Sequence, residues 1–412
     1  LRILKLHLNG PERPKLSGNL CITGSKSESN RLLLLQANYR EVRIENLSNS
    51  DDTRVMQQAL ASGAPLLDIH HAGTAMRFLT AYLAGKPGRE VTLTGSDRMK
   101  QRPIKVLVGA LRQLGADISY LEKPGCPPLK IKGTQLEGTE VSLPADVSSQ
   151  YISALLLIAP TLPKGLLLTL EGQITSLPYI KMTLGLLNRL GIQTEMEGKR
   201  IRVYPQRQIP PQTLVVESDW SSASYYYSIM ALAAPGSRMV LQSYRRDSLQ
   251  GDSILRQIYE PLGVGSDFEG DRLLLTREDV QPGPHLSLNL IEAPDLAQTL
   301  AVCCFGLGIS CDLTGLHTLK IKETDRLSAL EAELSNLGAA VEVTDDALRL
   351  HQGGSLQAGK SIATYNNHRM AMAFAPLALK TELYIEDAGV VSKSYPGFWE
   401  DLRSLGFRCE EV

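Results

Sequence analysis

An apolar series at helical spacing, closed by Leu-Gly and followed by two short stretches of apolar-polar alternation, recurs along the chain. It reads LVGALRQLGADISY with PPLKIKG behind it, then LGLLNRLGIQTEMEGKRIRVYP, LRQIYEPLGVGSDFEGDRLLLT and LEAELSNLGAAVEVTDDALRLH. A truncated copy, FWEDLRSLGFRCEE, closes the chain, and VMQQALASGAPLLDIH reads as a degenerate first copy, which makes about six units. A helical period followed by a period of two predicts a helix packed on one face of a hairpin. Gly115, Gly191, Gly263, Gly338 and Gly406 are expected to end the helices in the left-handed conformation that a side chain disfavours. EGKR, EGDR and TDDA are the expected hairpin turns. The glycines recur at roughly seventy residues, a longer period than a solenoid uses, so packed α/β modules in two domains of about three units each are expected.

The segment VVESDWSSASYYYSIMALAAPGSRMVLQSYRRDSLQGD separates the third and fourth full copies, and the domains are expected to hand over near residue 240. Residues 23–240 then form one lobe and residues 241–412 the other, with residues 1–22 crossing to the C-terminal lobe through their first strand.

Composition narrows the function classes. The 412 residues carry 43 Lys+Arg against 44 Asp+Glu, a formal charge of -1, so no global basic field of the nucleic-acid-binding kind exists and an anion site must be a local cluster. Six cysteines without a C-x-x-C pair predict reduced thiols, neither zinc nor a disulfide framework, and a cytoplasmic protein. No apolar run reaches about 18 residues, so no membrane span is expected.

Local cationic clusters do exist, at turns and helix starts. In TGSKSESNR, capping serines precede the apolar run Leu32 to Leu35, and a helix is expected from near Ser27. Lys26 and Arg31 bracket its first turn, where the helix dipole disfavours cations by a few tenths to about 1 kcal/mol unless an anion lies between them. Arg77, Arg98, Lys100 and Arg102 recur in the first half, and Lys320, Lys322, Arg326, His368, Arg369 and Lys393 in the second. VSSQ at 147–150 and TSLPY at 175–179 add hydroxyls. Guanidinium forks, hydroxyls and backbone N–H groups together are what phosphate and carboxylate recognition requires. Singly, each stretch also reads as a capped turn or a solvated helix start, and Asp295 as a first-turn carboxylate after Pro294. The Walker spacing fails at Gly24 to Ser27, and no G-x-G-x-x-G follows a strand.

In order along the chain, GSKSESNR, SNSDDTR, AGTAMR, RMKQRP, VSSQYISALLL, SDWSSASY, APDLAQT, IKETDRL, TYNNHRMAMAF and SKSYPGFW are similar to the motifs of the 3-phosphoshikimate 1-carboxyvinyltransferase family, the 5-enolpyruvylshikimate-3-phosphate synthases. The resemblance implies an α/β fold, a two-domain inside-out α/β barrel built from six βαβαββ-like repeats, with the active site in the cleft between lobes that close on substrate. It implies addition of the 5-hydroxyl of shikimate 3-phosphate to phosphoenolpyruvate and loss of phosphate, with no metal or organic cofactor. The expected partners are those two small molecules, not nucleic acid or membrane, and a monomer is expected.

Carried over by motif, Lys26, Ser27, Arg31, Ser148, Ser149, Gln150, Ser176, Asp295 and Lys322 are the implied shikimate-phosphate ligands. Lys26, Gly73, Arg102, Gln150, Arg326, His368, Arg369 and Lys393 are implied for phosphoenolpyruvate. Asp295 is the implied base, Glu323 with Lys322 the implied proton donor and relay, and Lys26 a further catalytic group. His71, Thr318, Asn367 and Gln101 depart from the family's usual residues, which bears on efficiency more than on reaction type. Two alternatives stay open: the sister enolpyruvyl transfer to UDP-N-acetylglucosamine, disfavoured because no cysteine lies between Cys21 and Cys126, and a noncatalytic anion binder on the same fold.

Overall fold

The computed structural model describes residues 4–12, 15–145, 148–174, 177–321 and 324–412. The chain forms two compact units, Ser25–Val216 and Leu1–Gly24 joined with Glu217–Val412. The second crossing therefore falls before residue 217 and not near 240. The reason is pairing at a distance: the helix Trp220–Leu232 and the strand Arg238–Gln242 find their partners in the C-terminal unit, the strand pairing with Ser17–Leu20 and Arg272–Arg277.

The helices are α1 Lys26–Asn38, α2 Asp51–Ala61, α3 Gly73–Ala84, α4 Lys105–Gln113, α5 Ser149–Ile158 and α6 Leu177–Arg189 in the first unit. The other holds α7 Trp220–Leu232, α8 Leu255–Tyr259, α9 Ala297–Leu307, α10 Arg326–Asn336, α11 His368–Phe374 and α12 Phe398–Ser404.

Five four-stranded sheets share one plan: a parallel pair, then two antiparallel neighbours. In the Ser25–Val216 unit, Leu66–Asp68 runs parallel to Glu90–Thr94, which continues antiparallel through Leu129–Lys132 to Asp117–Tyr120. Glu140–Pro144, Leu166–Glu171, Arg200–Val203 and Thr194–Glu197 repeat it. In the other unit the plan recurs on His285–Asn289 and Ser310–Thr314, and twice with help from the N-terminus. Ser17–Leu20 supplies the parallel partner of Arg238–Gln242, and Leu6–Asn9 lies between Leu383–Ile385 and Arg408–Glu411. The five repeat glycines take φ of 102, 79, 82, 96 and 91 degrees in chain order, so each helix turns into its strand through a conformation open chiefly to glycine. The expected degenerate copy departs from the plan: after α2 the strand Leu66–Asp68 enters a parallel pair and makes no hairpin, and the sixth sheet is only Val42–Glu45 beside Gln212–Val215.

Strands alternate buried and exposed positions while the central helices are enclosed, so helices lie inside and sheets outside. Every residue of α7 except Ser221 is buried, and every residue of α11 except Arg369. A helix buried all round needs its polar side chains satisfied internally. Tyr227 and Tyr259 accordingly bond Ser266 and Ser228 at 2.8 and 2.7 Å. Among the described residues no helix is long and apolar enough to cross a membrane.

Tyr226 and Tyr395 share a 2.9 Å hydroxyl contact, and Tyr395 donates onward to Asp401. The Tyr226 hydroxyl is thus the donor in that pair. Tyr226→Phe is expected to cost about 1 kcal/mol, and Tyr395→Phe, which strips two buried groups, about 2 kcal/mol, read as shifted denaturant midpoints at constant slope.

Candidate active site

In the Ser25–Val216 unit the hydroxyl of Ser25 caps α1 by accepting from the Glu28 N–H, at a long 3.5 Å. Lys26 Nζ lies 3.7 Å from Asp52 Oδ2 in the first turn of α2, so a carboxylate does face the cation that the helix dipole disfavours. Arg31 is buried to 2% exposure. Its Nε donates to Thr183 Oγ1 at 2.8 Å, Nη1 to the Ser27 carbonyl at 2.8 Å and Nη2 to Ser153 Oγ at 2.9 Å, all neutral acceptors. The guanidinium also faces the Phe78 and Tyr179 rings at 5.5 and 5.8 Å. Burial pulls its pKa down to about 10, which leaves it charged at neutral pH. The buried Glu28 carboxylate offsets part of the cost of enclosing this cation, and a further anion close by would offset more.

The start of α3 is built around Gly73. A Cβ added there would lie 2.6 Å from Arg102 Nη1, so the absence of a side chain is what lets that guanidinium approach the helix start. Arg77 lies behind it, buried, donating to the carbonyls of Gly73 and Pro103 at 3.2 Å each. Burial, then the charge of Arg102, lowers its pKa to about 10. Gln150 Nε2 donates to Thr74 Oγ1 at 3.1 Å, and Ser148, capping α5, accepts from the Gln150 N–H at 3.4 Å. The first turns of α3 and α5 are thereby tied together, with Ser149 buried between neighbours.

In the other unit one carboxylate organises the cations. Arg326 Nη1 donates to Asp295 Oδ1 at 2.8 Å and Arg369 Nη2 to Oδ2 at 2.9 Å. The three side chains are 4%, 12% and 14% exposed for Arg326, Arg369 and Asp295. Arg326 opens α10 behind the Asp325 cap, and Arg369 follows His368 in the first turn of α11, whose cap Asn367 accepts from the Arg369 N–H at 2.9 Å. Asn367 Nδ2 is buried without a partner among the described residues. Lys393 Nζ donates to Asn366 O at 2.7 Å and to its Oδ1 at 2.5 Å. Those contacts hold Tyr365 and Asn366, at φ 52 and 57 degrees, in a left-handed pair that costs roughly 1–2 kcal/mol per residue. Ser176, Lys322 and Glu323 lie outside the described residues.

Three groups carry more of this site than their sequence positions announced. Ser221 Oγ accepts from Arg369 Nη2 at 3.3 Å and donates to Asp252. Glu217, 1% exposed, accepts from the Trp220 indole at 2.7 Å, the Arg245 N–H at 2.9 Å and the Ser248 hydroxyl at 2.6 Å. Burial pushes its pKa up against those donors. Gln250 accepts from the Trp220 N–H at 2.9 Å and donates to the Ser218 carbonyl at 2.9 Å, which sets the loop carrying Asp252 against the start of α7. The acidic and hydroxyl-rich composition of ESDWSS and SLQGD was the available signal.

Guanidiniums and ammoniums at helix starts in each unit, in an α/β fold with its helices enclosed, are features of a class of enzyme that handles small polyanions. A family model described as EPSP synthase (3-phosphoshikimate 1-carboxyvinyltransferase) matches residues 57–402. The 3-phosphoshikimate 1-carboxyvinyltransferase of Bacteroides fragilis (strain YCH46) is 46% identical over 402 residues, which cover 95% of this chain and 96% of that protein. That of Edwardsiella ictaluri (strain 93-146) is 38% identical over 421 residues, 95% and 96% of the two chains. Among solved structures, EPSP synthase from Acinetobacter baumannii has a TM-score of 0.80 at 20% identity, covering 99% of this chain and 100% of that one. The enolpyruvyl transferase NikO from Streptomyces tendae gives 0.75 at 14% identity, covering 100% and 99%. At such identities the structures speak for the fold. The chain belongs to the EPSP synthase family; it is an enzyme, and the group it transfers is the carboxyvinyl for which the family is named.

Glu217→Ala leaves the Trp220 indole and the Arg245 N–H without their buried acceptor. The expected loss is about 3 kcal/mol in chemical denaturation.

Proposed function

We propose that the enzyme moves the enolpyruvyl group of phosphoenolpyruvate to the 5-hydroxyl of shikimate 3-phosphate and releases phosphate, with both units contributing groups. Lys26, Ser27, Arg31, Ser148, Ser149, Gln150 and Ser176 take the shikimate phosphate. Gly73 and Arg102, with Arg326, His368, Arg369 and Lys393, take phosphoenolpyruvate, and Lys26 and Gln150 touch both ligands. The hydroxyl oxygen bonds to C2 of phosphoenolpyruvate while its proton passes to a base and another proton reaches C3. The C2–O bond to phosphate then breaks, and C3 gives back a proton as the vinyl group re-forms. Asp295 serves as the base, Glu323 with Lys322 as donor and relay, and the cations stabilise the charge on departing phosphate. In this reading the enzyme works as a cytoplasmic monomer.

The observation that supports it best is Asp295 held at 2.8 and 2.9 Å between Arg326 and Arg369, a proton acceptor built into an anion clamp. A coupled phosphate-release assay tests the reading. Release with shikimate 3-phosphate is expected; release only with UDP-N-acetylglucosamine assigns the sister acceptor, and none with either overturns this choice of acceptor.

Two variants refine it. Asp295→Ala is expected to lower kcat by 100-fold or more, about the weight of a general base. Its KM for phosphoenolpyruvate should not rise, because both arginines lose a competing carboxylate. An unchanged kcat would remove Asp295 from the proton transfers. Gly73→Ala displaces Arg102 and is expected to raise KM for phosphoenolpyruvate about tenfold, equivalent to about 1.4 kcal/mol, leaving KM for shikimate 3-phosphate near its wild-type value.

A further inference from the structure

One buried carboxylate has no part in that scheme. Asp252, in the turn Gly251–Ile254, is 8% exposed, and Ser221 donates to its Oδ2. The same hydroxyl accepts from Arg369 at 3.3 Å, and Arg369 reaches Asp295 at 2.9 Å. A continuous chain thus runs from Asp252 through Ser221 and Arg369 to Asp295 and Arg326. Ser221 and Arg369 are also the residues that α7 and α11 leave out of the core, so the two enclosed helices open toward each other at this contact.

Charge makes the arrangement unbalanced. Asp219 and Ser221 face Asp252 from α7, Asp295 from the turn before α9, and Arg369 from α11. Tyr225 adds a phenol that burial pushes up to about 12, neutral at working pH. Arg256 on α8 turns away, donating to the Ser253 carbonyl and lying over the Trp220 and Phe268 rings at 5.7 and 5.3 Å. Among the described residues three carboxylates therefore surround two guanidiniums, and a further anion added to Arg369 works against that excess.

We infer that Asp252 is a proton-linked positioning residue, taking up a proton when phosphoenolpyruvate binds Arg369 and thereby releasing that guanidinium to the ligand. The inference rests on phosphoenolpyruvate being the ligand of Arg369. The step balances simply: one proton from solvent joins Asp252, which then donates to Ser221 Oγ, and the serine hydrogen turns outward to the bound anion. Burial first, then the charge of Asp295, already raises the Asp252 pKa from 3.8 to about 7, against the lowering effect of Arg369 and Ser221. The carboxyl is half-protonated near neutrality, and a further anion shifts it toward the acid form.

The sign follows from the raised pKa. Below about 7 the acid form is already present, and above it each binding event must recruit a proton. KM for phosphoenolpyruvate should therefore rise up to about fivefold from pH 7 to pH 8 in the wild type and stay flat in Asp252→Asn. Calorimetric titration of phosphoenolpyruvate in two buffers of different ionisation enthalpy should show uptake approaching about half a proton at pH 7, absent from the variant. Equal uptake in both proteins, or none in the wild type, overturns the inference and leaves the ligand assignment standing. Failure of phosphoenolpyruvate to bind or to saturate turnover overturns both. If Asp252→Asn does not fold, the wild type still decides: an infrared difference spectrum must show a protonated carboxyl band growing on ligand addition, and its absence rejects the proposal.

Discussion

Arg326, Arg369 and Asp295 form the interaction on which the cationic cluster of the C-terminal unit depends. Two guanidiniums enclosed at helix starts are opposed both by desolvation and by the helix dipole. A carboxylate that gives one oxygen to each offsets part of that cost and fixes both guanidiniums in place. Preorganised charge of this kind does not have to rearrange as charge develops on a reacting phosphate, which is where such sites contribute most to rate.

The Ser25–Val216 unit solves the same problem with hydroxyls. Arg31 is surrounded by Ser153, Thr183 and the Ser27 carbonyl, and among the described residues its hydrogen-bond partners include no carboxylate. Neutral acceptors fix its orientation without neutralising it, leaving a positive charge in a low-dielectric setting for an anionic ligand to complete. Lys26, beside Asp52, is partly compensated and correspondingly less dependent on ligand. Arg326 and Arg369 are thus hydrogen-bonded to a shared carboxylate, and Arg31 to neutral acceptors.

Both schemes follow from placing the helices inside. A helix enclosed on all sides offers only its ends to a ligand, and its ends carry unpaired N–H groups. Many of the proposed ligand groups accordingly sit in first turns: Lys26 and Ser27 on α1, Gly73 on α3, Ser149 and Gln150 on α5, Arg326 on α10 and Arg369 on α11, with Arg31 one turn further into α1.

Much of this is legible in the order of residues along the chain. The Leu-Gly phrase predicts helix-to-hairpin units because period and glycine conformation are local properties, and all five glycines take positive φ. The motif order points to the family, and the cationic turns name the residues. What the chain alone does not reveal is anything set by contacts between distant segments. The strand Leu66–Asp68 gives no local sign that it joins Glu90–Thr94 in place of a hairpin. Trp220–Leu232 is assigned to the wrong lobe by the chain alone because its partner α9 lies far off in sequence. Asp295 reads as a lone acid until Arg326 and Arg369, thirty-one and seventy-four positions away, close on it. Asp252 is invisible because its importance lies wholly in burial and in a serine shared with an arginine. Local period and residue type are written in the chain, whereas desolvation and charge pairing exist only once folding brings remote residues together.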